Sequence, residues 1–239
     1  MLFGVPFDAV TLEGAADAAM QLVESSTPRV IVTANPEIIE ASRSDLELLR
    51  ALQQADLVVA DGVGVLWASR RLNCPLPERV PGIELMEQIV SRCAQSEKSV
   101  YLLGSRPGVA SRAAERLVQR YPALIVAGSM HGYFTHNEEP RVVQQIQQAK
   151  PDVLLVGMGT RQEKWIAANK QLLGARLLMG VGGSFDVISG SSRRAPRWMQ
   201  RMHLEWFYRL LTQPWRWRRQ LVLVSFACRV MTESRRSRG

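Results

Sequence analysis

The sequence predicts an α/β fold, with a Rossmann-like, mostly parallel sheet flanked by helices. Between residues 29 and 180, short apolar runs alternate with longer segments of helical period. Glycine or polar residues follow most of these runs, as they do where parallel strands end at a ligand crevice. The chain has 239 residues, 46% apolar and 22% charged, so it can bury a core of enzyme size.

Six apolar runs are the predicted strands. In chain order they are Val30 to Thr33, Leu57 to Ala60, Ser99 to Leu103, Leu124 to Ala127, Val153 to Val156 and Arg176 to Met179. Helical periodicity between them predicts helices in segments such as Glu37 to Ala55 and Arg106 to Arg120. Because ligands of open α/β sheets bind beyond the carboxyl ends of the strands, we expect the functional site there.

The residues just after the strands favour a phosphate-bearing ligand. The second run ends in Asp61-Gly62-Val63-Gly64, and the last ends in Gly180-Val181-Gly182-Gly183-Ser184. Glycine permits close backbone approach, and a helix that begins after it offers unpaired N–H groups to a phosphate. Glycines after strands are also ordinary turn residues, so each turn by itself fits plain architecture equally well.

Three polar residues are the candidates for chemistry. Asp61 directly follows an apolar run, which suits a general base on rigid support, although it could instead cap the next helix. Arg79 lies in a loop from which its guanidinium could bind a phosphate or carboxylate, or remain solvated. Gln162 begins a predicted helix, where its side chain could bind a ligand or cap the helix.

Cysteine, histidine and glycine spacing excludes several function classes. The cysteines are Cys74, Cys93 and Cys228, and the histidines are His131, His136 and His203. The cysteines are odd in number without paired spacing, and the histidines form no ligand pair, so we expect no disulfide framework and no metal. The turn at Gly180 lacks the G-x-G-x-x-G spacing, which argues against a nicotinamide dehydrogenase. The sequence therefore predicts no resident cofactor.

The last 47 residues differ in character from the rest. Residues 193–239 contain 12 Arg and 2 Glu, net +10, which leaves residues 1–192 at net −2. Four of the six tryptophans also lie there. We therefore divide the chain into an α/β core (1–192) and a basic, Trp-rich helical appendage (193–239), in which Arg197 and Trp198 begin neighbouring rows at helical spacing.

The appendage suits an anionic membrane surface. Its charge alone would also fit nucleic acid or an acidic partner, but the apolar run at residues 221–226 favours a membrane over nucleic acid. No signal-like segment opens the chain, and the run Leu221 to Cys228 is far shorter than the roughly 20 residues that span a bilayer. We expect a cytoplasmic protein, peripheral on the inner face of the plasma membrane.

Motifs along most of the chain resemble those of the WecG/TagA/CpsF family of bacterial glycosyltransferases. They are Gly4-Val5-Pro6-Phe7-Asp8, Thr33-Ala34-Asn35-Pro36-Glu37, Ala60-Asp61-Gly62, Arg79-Val80-Pro81-Gly82, Leu102-Leu103-Gly104, Gly132-Tyr133-Phe134, Gln162-Glu163-Lys164-Trp165, Gly180-Val181-Gly182-Gly183-Ser184-Phe185-Asp186, Arg194-Ala195-Pro196 and Leu204-Glu205-Trp206-Phe207-Tyr208-Arg209-Leu210. The order and spacing of these pieces make the resemblance specific.

The resemblance implies transfer of an N-acetylmannosamine-type sugar, or its uronic acid, from a UDP-sugar to polyprenyl-diphosphate-linked N-acetylglucosamine. Products of this class feed wall teichoic acid, enterobacterial common antigen or capsule synthesis. The resemblance also implies that Asp61 is the catalytic base. The substrate-binding residues that it implies are Thr33, Asn35, Arg79, Gln162, Arg209, Arg216 and Arg219. We add the glycines of the last turn, Gly180, Gly182 and Gly183. The family's membrane-docking appendage corresponds to the basic C-terminal segment.

Two positions depart from the family pattern. Relatives usually have a Pro-Lys pair before the glutamine, whereas here only Arg161 separates Thr160 from Gln162, which leaves the placement of Gln162 open. His203 stands where relatives often have glycine. The alternative function is a non-catalytic nucleotide-binding module that the basic appendage tethers to a membrane or nucleic acid. The donor sugar, the polymer pathway and self-association into a homo-oligomer also stay open.

Overall fold

The computed structural model of the chain describes residues 1–193, 195, 196, 198, 199, 202, 208 and 217–236, with backbone alone at 217–220. Its centre is a sheet of six strands in the order β2-β1-β6-β5-β3-β4. The strands are β1 Arg29–Ala34, β2 Leu57–Ala60, β3 Ser99–Gly104, β4 Ile125–Met130, β5 Val153–Gly157 and β6 Leu177–Gly180. Every pairing between them is parallel, which confirms the predicted fold class and all six strands.

Helices connect the strands and cover both faces of the sheet. They are α1 Leu12–Val23, α2 Pro36–Ser42, α3 Leu46–Gln53, α4 Val63–Arg71, α5 Gly82–Gln95, α6 Val109–Arg120, α7 Glu139–Ala149, α8 Gln162–Asn169, α9 Ser184–Ile188 and α10 Trp217–Arg236. The predicted helical segment from Glu37 to Ala55 forms two helices, α2 and α3, with a break between them. Asp45 begins α3 by accepting a hydrogen bond from the Leu48 N–H over 3.0 Å.

Alternate strand residues feed two hydrophobic layers. In β1, Ile31 packs on the face covered by α1, α5 and α6, whereas Val30 and Val32 pack on the face covered by α3, α7 and α8. Strands buried on both faces have no polar alternation, which explains why they read as continuous apolar runs in the sequence. This rigid, two-sided core holds the carboxyl ends of β1, β2, β5 and β6 side by side.

Helix α10 packs against α2 and α4 and closes a third hydrophobic cluster. Phe226, only 2% exposed, meets the Phe3 ring edge-on at 5.7 Å between centroids. Arg229 lies 4.1 Å above the same ring and donates to Glu40 of α2 over 3.2 Å. The membrane prediction for the apolar run therefore needs correction at Phe226, whose side chain is covered by protein.

The outer face of α10 differs from this inner face. Leu221 and Val224 are 57% and 60% exposed, so part of the predicted apolar run faces outward. Within the described ranges, no helix is long and apolar enough to cross a bilayer. The predicted amphipathic rows that begin at Arg197 and Trp198 fall mostly outside the described residues.

Candidate active site

A cavity of about 470 Å³ opens at the carboxyl ends of the strands. Its polar wall contains five of the residues singled out from the sequence, contributed by the ends of β1 and β2, the loop before α5 and the start of α8. They are Thr33, Asn35, Asp61, Arg79 and Gln162. Gly182 and Gly183, in the turn after β6, also line the cavity. The cavity therefore lies at the edge of the sheet where we expected a ligand to bind.

Asp61 directly follows the last residue of β2 and lines the cavity. Its N–H donates to the carbonyl of Ala34 over 2.9 Å, which extends the pairing of β1 and β2 by one step. Its Oδ2 accepts from the N–H of Gly82, the first residue of α5, over 3.3 Å. The next helix, α4, begins at Val63, with Gly62 as its N-cap. The bond described for the Asp61 carboxylate is thus to the start of α5.

Thr33 and Asn35 lie beside Asp61 at the end of β1. Asn35 caps α2, because its Oδ1 accepts from the N–H of Ile38 over 3.0 Å. Its amide Nδ2 is therefore the group that Asn35 can offer to a ligand. Thr33 packs against the start of α5, where a methyl group on Gly82 would lie 2.9 Å from Thr33 Oγ1. Gly82 is thus wedged between the side chains of Thr33 and Asp61.

Arg79 reaches the cavity from a loop that is tied to the sheet. The N–H of its neighbour Val80 donates to the carbonyl of Ala60 over 2.8 Å, and the Val80 side chain is buried in the core. Pro81 is the N-cap of α5. The bond between Val80 and Ala60 holds the backbone just before Asp61 next to the backbone just after Arg79, and the two side chains border the same cavity.

Gln162 is buried at the start of α8, and both ends of its amide are fixed. Its Oε1 accepts from the N–H of Gly182 over 3.0 Å, and its Nε2 donates to Glu163 Oε1 over 2.7 Å. Gly180 lies behind this amide rather than at the cavity surface, since a methyl group there would come within 2.6 Å of Nε2. Any side chain at Gly180 would therefore displace Gln162.

The shortened loop before Gln162 does not move it out of the site. Gly159–Arg161 forms a 3-10 turn, and Gly159 adopts φ +62, a conformation that favours glycine. Arg161 Nη2 donates to the Gly132 carbonyl over 3.0 Å, which ties this turn to the segment after β4. The turn leads directly into α8, whose first residue, Gln162, has no side-chain capping role.

Glu163 is a cavity residue for which the sequence analysis predicted no role. Its side chain borders the cavity but is only 5% exposed. Burial raises the pKa of the Glu163 carboxyl to about 7, against a partial lowering by the Gln162 hydrogen bond. Helical spacing could have indicated this burial. Glu163 precedes Ile166 by three residues, so both lie on the inner face of α8.

The C-terminal part of the site is apolar where it is described. Helix α10 contributes Leu223, Phe226 and Ala227 to the cavity wall, and none of these was predicted as a site residue. Arg209 and Arg216 lie outside the described residues, and Arg219 lies in α10 at a position where only the backbone is described. Their proposed contacts with substrate stay predictions.

Comparison with known proteins connects this site to an enzyme family. Residues 1–239 match the Glycosyl transferase WecG/TagA/CpsF family. The N-acetylglucosaminyldiphosphoundecaprenol N-acetyl-beta-D-mannosaminyltransferase of Bacillus subtilis (strain 168) is 35% identical over 214 residues, or 89% of this chain and 83% of that protein. The protein of the same name from Staphylococcus aureus (strain MRSA252) is 39% identical over 220 residues, or 88% and 83%. The chain belongs to the WecG/TagA/CpsF family of glycosyltransferases.

Proposed function

We propose that this protein transfers an N-acetylmannosaminyl group from a UDP-sugar to polyprenyl-diphosphate-linked N-acetylglucosamine in the synthesis of a bacterial surface polysaccharide. The observation that carries the proposal is the convergence of Asp61 with Thr33, Asn35, Arg79 and Gln162 on one cavity. The names of the two relatives supply the sugar and the acceptor. N-acetylmannosaminuronic acid is the alternative donor sugar.

The reaction is a single displacement with inversion at the anomeric carbon. The acceptor hydroxyl oxygen bonds to that carbon, the bond from the carbon to the UDP oxygen breaks, and the hydroxyl proton passes to Asp61. Asp61 suits this role because its own N–H is bonded to the Ala34 carbonyl of β1, which fixes its main chain at the cavity wall. A positioned general base contributes about 10²–10⁴-fold to rate.

Departure of UDP builds negative charge on a diphosphate, which positive groups must stabilise. Arg79 is the described arginine on the cavity wall. Arg209, Arg216 and Arg219 are further candidates from the C-terminal segment. Gly182 already donates its N–H to Gln162, so the contribution of Gly182 is to hold this amide in place. We propose a metal-independent reaction in which these cationic groups stabilise the negative charge that develops on the diphosphate of UDP.

Transfer takes place at the membrane surface in this proposal, with the protein peripheral on the cytoplasmic face. Leu221 and Val224 of α10 are exposed, and Arg235 and Arg236 are exposed in its last turn. A helix that exposes apolar side chains near one end and arginines at the other suits the boundary between acyl chains and anionic headgroups. The same helix lines the cavity, so binding to the membrane would bring the site to its lipid-linked acceptor.

The test is UDP release by the purified full-length chain with a soluble analogue of polyprenyl-diphosphate N-acetylglucosamine. UDP-N-acetylmannosamine and UDP-N-acetylmannosaminuronic acid are compared, each with and without EDTA. We expect acceptor-dependent release with the first donor that persists in EDTA. Preference for the uronic acid would change the donor, and loss of turnover in EDTA would contradict metal independence.

The alternative, a non-catalytic nucleotide-binding module, makes a different prediction in the same assay. It predicts UDP-sugar binding without acceptor-dependent release, even when anionic vesicles are present. Co-sedimentation with phosphatidylglycerol vesicles and with duplex DNA then shows whether the basic C-terminal segment binds a membrane or nucleic acid. We expect binding to the vesicles and not to the DNA. The exposed side chains of Leu221 and Val224 can be buried in a lipid layer, whereas contacts with the phosphates of DNA come from charged and polar groups.

A further inference from the structure

The cavity has both polar and apolar lining. Asp61, Arg79 and Gln162 lie at the ends of the strands, where apolar residues such as Ile38 and Val181 also line the cavity. The lining from α4 and α10 includes the apolar side chains of Val63, Trp67, Leu223, Phe226 and Ala227. We call these five side chains the apolar wall. A uracil ring or a sugar ring can stack on Trp67, but the other four side chains offer no hydrogen bond to a nucleotide, a diphosphate or a sugar, and their chemistry suits a hydrocarbon.

The apolar wall is a continuous strip between two helices. Val63 and Trp67 are four residues apart on α4, and Leu223 and Ala227 are four apart on α10, so each pair lies along one side of its helix. Phe226 closes the base between them. Gly64 allows this close packing, because a methyl group there would lie 2.9 Å from Pro36 Cγ and 4.0 Å from Phe226 Cε1.

The strip leads from the buried base of the cavity to the protein surface. Phe226 is buried, Leu223 and Ala227 are half-buried, and Trp67 is 40% exposed. Leu221 and Val224 are close to Leu223 in the sequence of α10, and both are exposed. An apolar chain that enters along this strip would therefore pass from the reaction site to the surface that we propose rests on the membrane.

We propose that the apolar wall binds the first isoprene units of the acceptor's polyprenyl chain. The inference rests on the proposed function, because that function requires a ligand with a diphosphate at one end and a hydrocarbon chain at the other. The diphosphate must lie within the cavity for the sugar hydroxyl to reach Asp61, so the hydrocarbon begins inside the protein. The apolar wall gives this segment a place away from water, in which each buried methylene adds affinity.

The first test compares two acceptors, N-acetylglucosaminyl diphosphate bearing a methyl group and the same compound bearing a farnesyl chain. The wild type should have a KM about ten-fold lower for the farnesyl acceptor, since several methylenes become buried. Trp67→Gln and Leu223→Gln should remove most of this preference, measured within each variant as the ratio of the KM values for the two acceptors. Leu172→Gln is the matched control, at an exposed leucine outside the cavity.

An equal rise in KM for both acceptors in Trp67→Gln and Leu223→Gln would overturn the proposal, because the preference for the farnesyl acceptor would then be intact. The second test needs no turnover. Farnesyl diphosphate with a benzophenone on its chain is photo-crosslinked to the full-length protein, and labelled residues are identified by mass spectrometry. We expect labels on α4 and on the Leu223 side of α10, reduced in Trp67→Gln and Leu223→Gln but not in Leu172→Gln.

The crosslinking experiment also separates this inference from the proposed function. Labelling of the apolar wall by a protein that releases no UDP would support the isoprenoid site and contradict the transferase proposal. Labelling that is unchanged in both cavity variants would overturn the isoprenoid site whatever the activity. Equal displacement of the label by phosphatidylglycerol vesicles and by unlabelled farnesyl diphosphate would also overturn it, because the wall would then be a general lipid contact.

Discussion

Aspartates lie at both edges of the parallel sheet, and their surroundings differ. At the amino edge, three carboxylates each accept a backbone N–H near the start of a strand over 2.7–2.9 Å: Asp8 from Val58, Asp56 from Val30 and Asp152 from Ser99. At the carboxyl edge, Asp61 accepts from Gly82 over a longer 3.3 Å and borders the cavity. The same side chain thus stabilises strands at one edge and faces a ligand site at the other.

The direction of the strands explains this difference. A strand that begins at the sheet edge presents N–H groups, and a nearby carboxylate satisfies them. A strand that ends at the opposite edge presents carbonyl groups instead, for which a carboxylate is no partner. The Asp61 carboxylate accepts instead from the first residue of α5 and borders the cavity, whereas the three carboxylates at the amino edge hold the starts of strands in place. Substitutions at the two edges should therefore differ in whether they lower turnover or stability, and the largest effect is expected at Asp61.

Asp61→Asn should lower kcat by about 10²–10⁴-fold, because the amide cannot accept the proton of the acceptor hydroxyl. The Asn Oδ1 can still accept the N–H of Gly82, so the melting temperature should stay close to that of the wild type. Steady-state UDP release and a thermal melt measure both effects. A variant with near-normal kcat would show that Asp61 is not the base.

Glu163 should make stability depend on pH. Its pKa is raised from 4.5 to about 7, so between these values the folded protein binds a proton that the unfolded chain has lost. Its contribution to the free energy of unfolding is therefore fully present below pH 4.5 and falls by about 3 kcal/mol as pH rises through the folded pKa. Above that pH the contribution stays constant.

Urea unfolding from pH 4.5 to 8.5 measures this effect as the difference between the wild type and Glu163→Gln. The variant lacks the titrating group, so it should lose less stability with rising pH. Glu115→Gln, at an exposed position of α6, should follow the wild-type profile. Parallel profiles for wild type and Glu163→Gln would mean that Glu163 titrates as an ordinary carboxyl.

Asn35→Asp should separate capping from ligand binding at the carboxyl edge. Aspartate caps a helix as well as asparagine does, so α2 should remain stable. The variant loses amide Nδ2 and gains a negative charge, so kcat/KM should fall by about 10- to 100-fold, the effect of one hydrogen bond to a charged ligand. Asp45→Asn, at the cap of α3 outside the cavity, should leave turnover unchanged.

Asp56→Asn should give the smallest effect and the opposite pattern from Asp61→Asn. Asp56 accepts from the Val30 N–H over 2.8 Å and from Arg29 Nη1 over 2.7 Å. Weakening these bonds should cost about 1–2 kcal/mol of unfolding free energy, measured in urea. The kcat per folded molecule should be that of the wild type. A large loss of kcat would contradict the division of roles between the two edges.

The sequence was sufficient for the sheet and the polar wall, for a physical reason. Strands buried on both faces are apolar without interruption, and the residues that follow them must share one edge of a parallel sheet. The break between α2 and α3 was missed because Asp45 lies within an otherwise helical pattern, where only its bond to Leu48 reveals the cap. Glu163 was missed because its burial depends on how α8 packs.

The apolar wall could not be predicted for a different reason. An amphipathic pattern shows that a helix has two faces, but it does not identify what covers the apolar one. Phe226 and Val224 have similar chemistry and are two residues apart, yet the first is buried against the core and the second is 60% exposed. Only the packing of α10 on α2 and α4 decides which residue lines the cavity and which faces outward.

The contact between Phe3 and α10 joins residues more than 200 positions apart in the sequence. Phe226 and Arg229 are translated after all six strands, so Phe3 waits for these partners while the sheet is being synthesised. The part of the cavity that α10 lines can form only after α10 has left the ribosome. A nascent chain that already contains every strand therefore still has an open cavity, and activity follows the translation of α10.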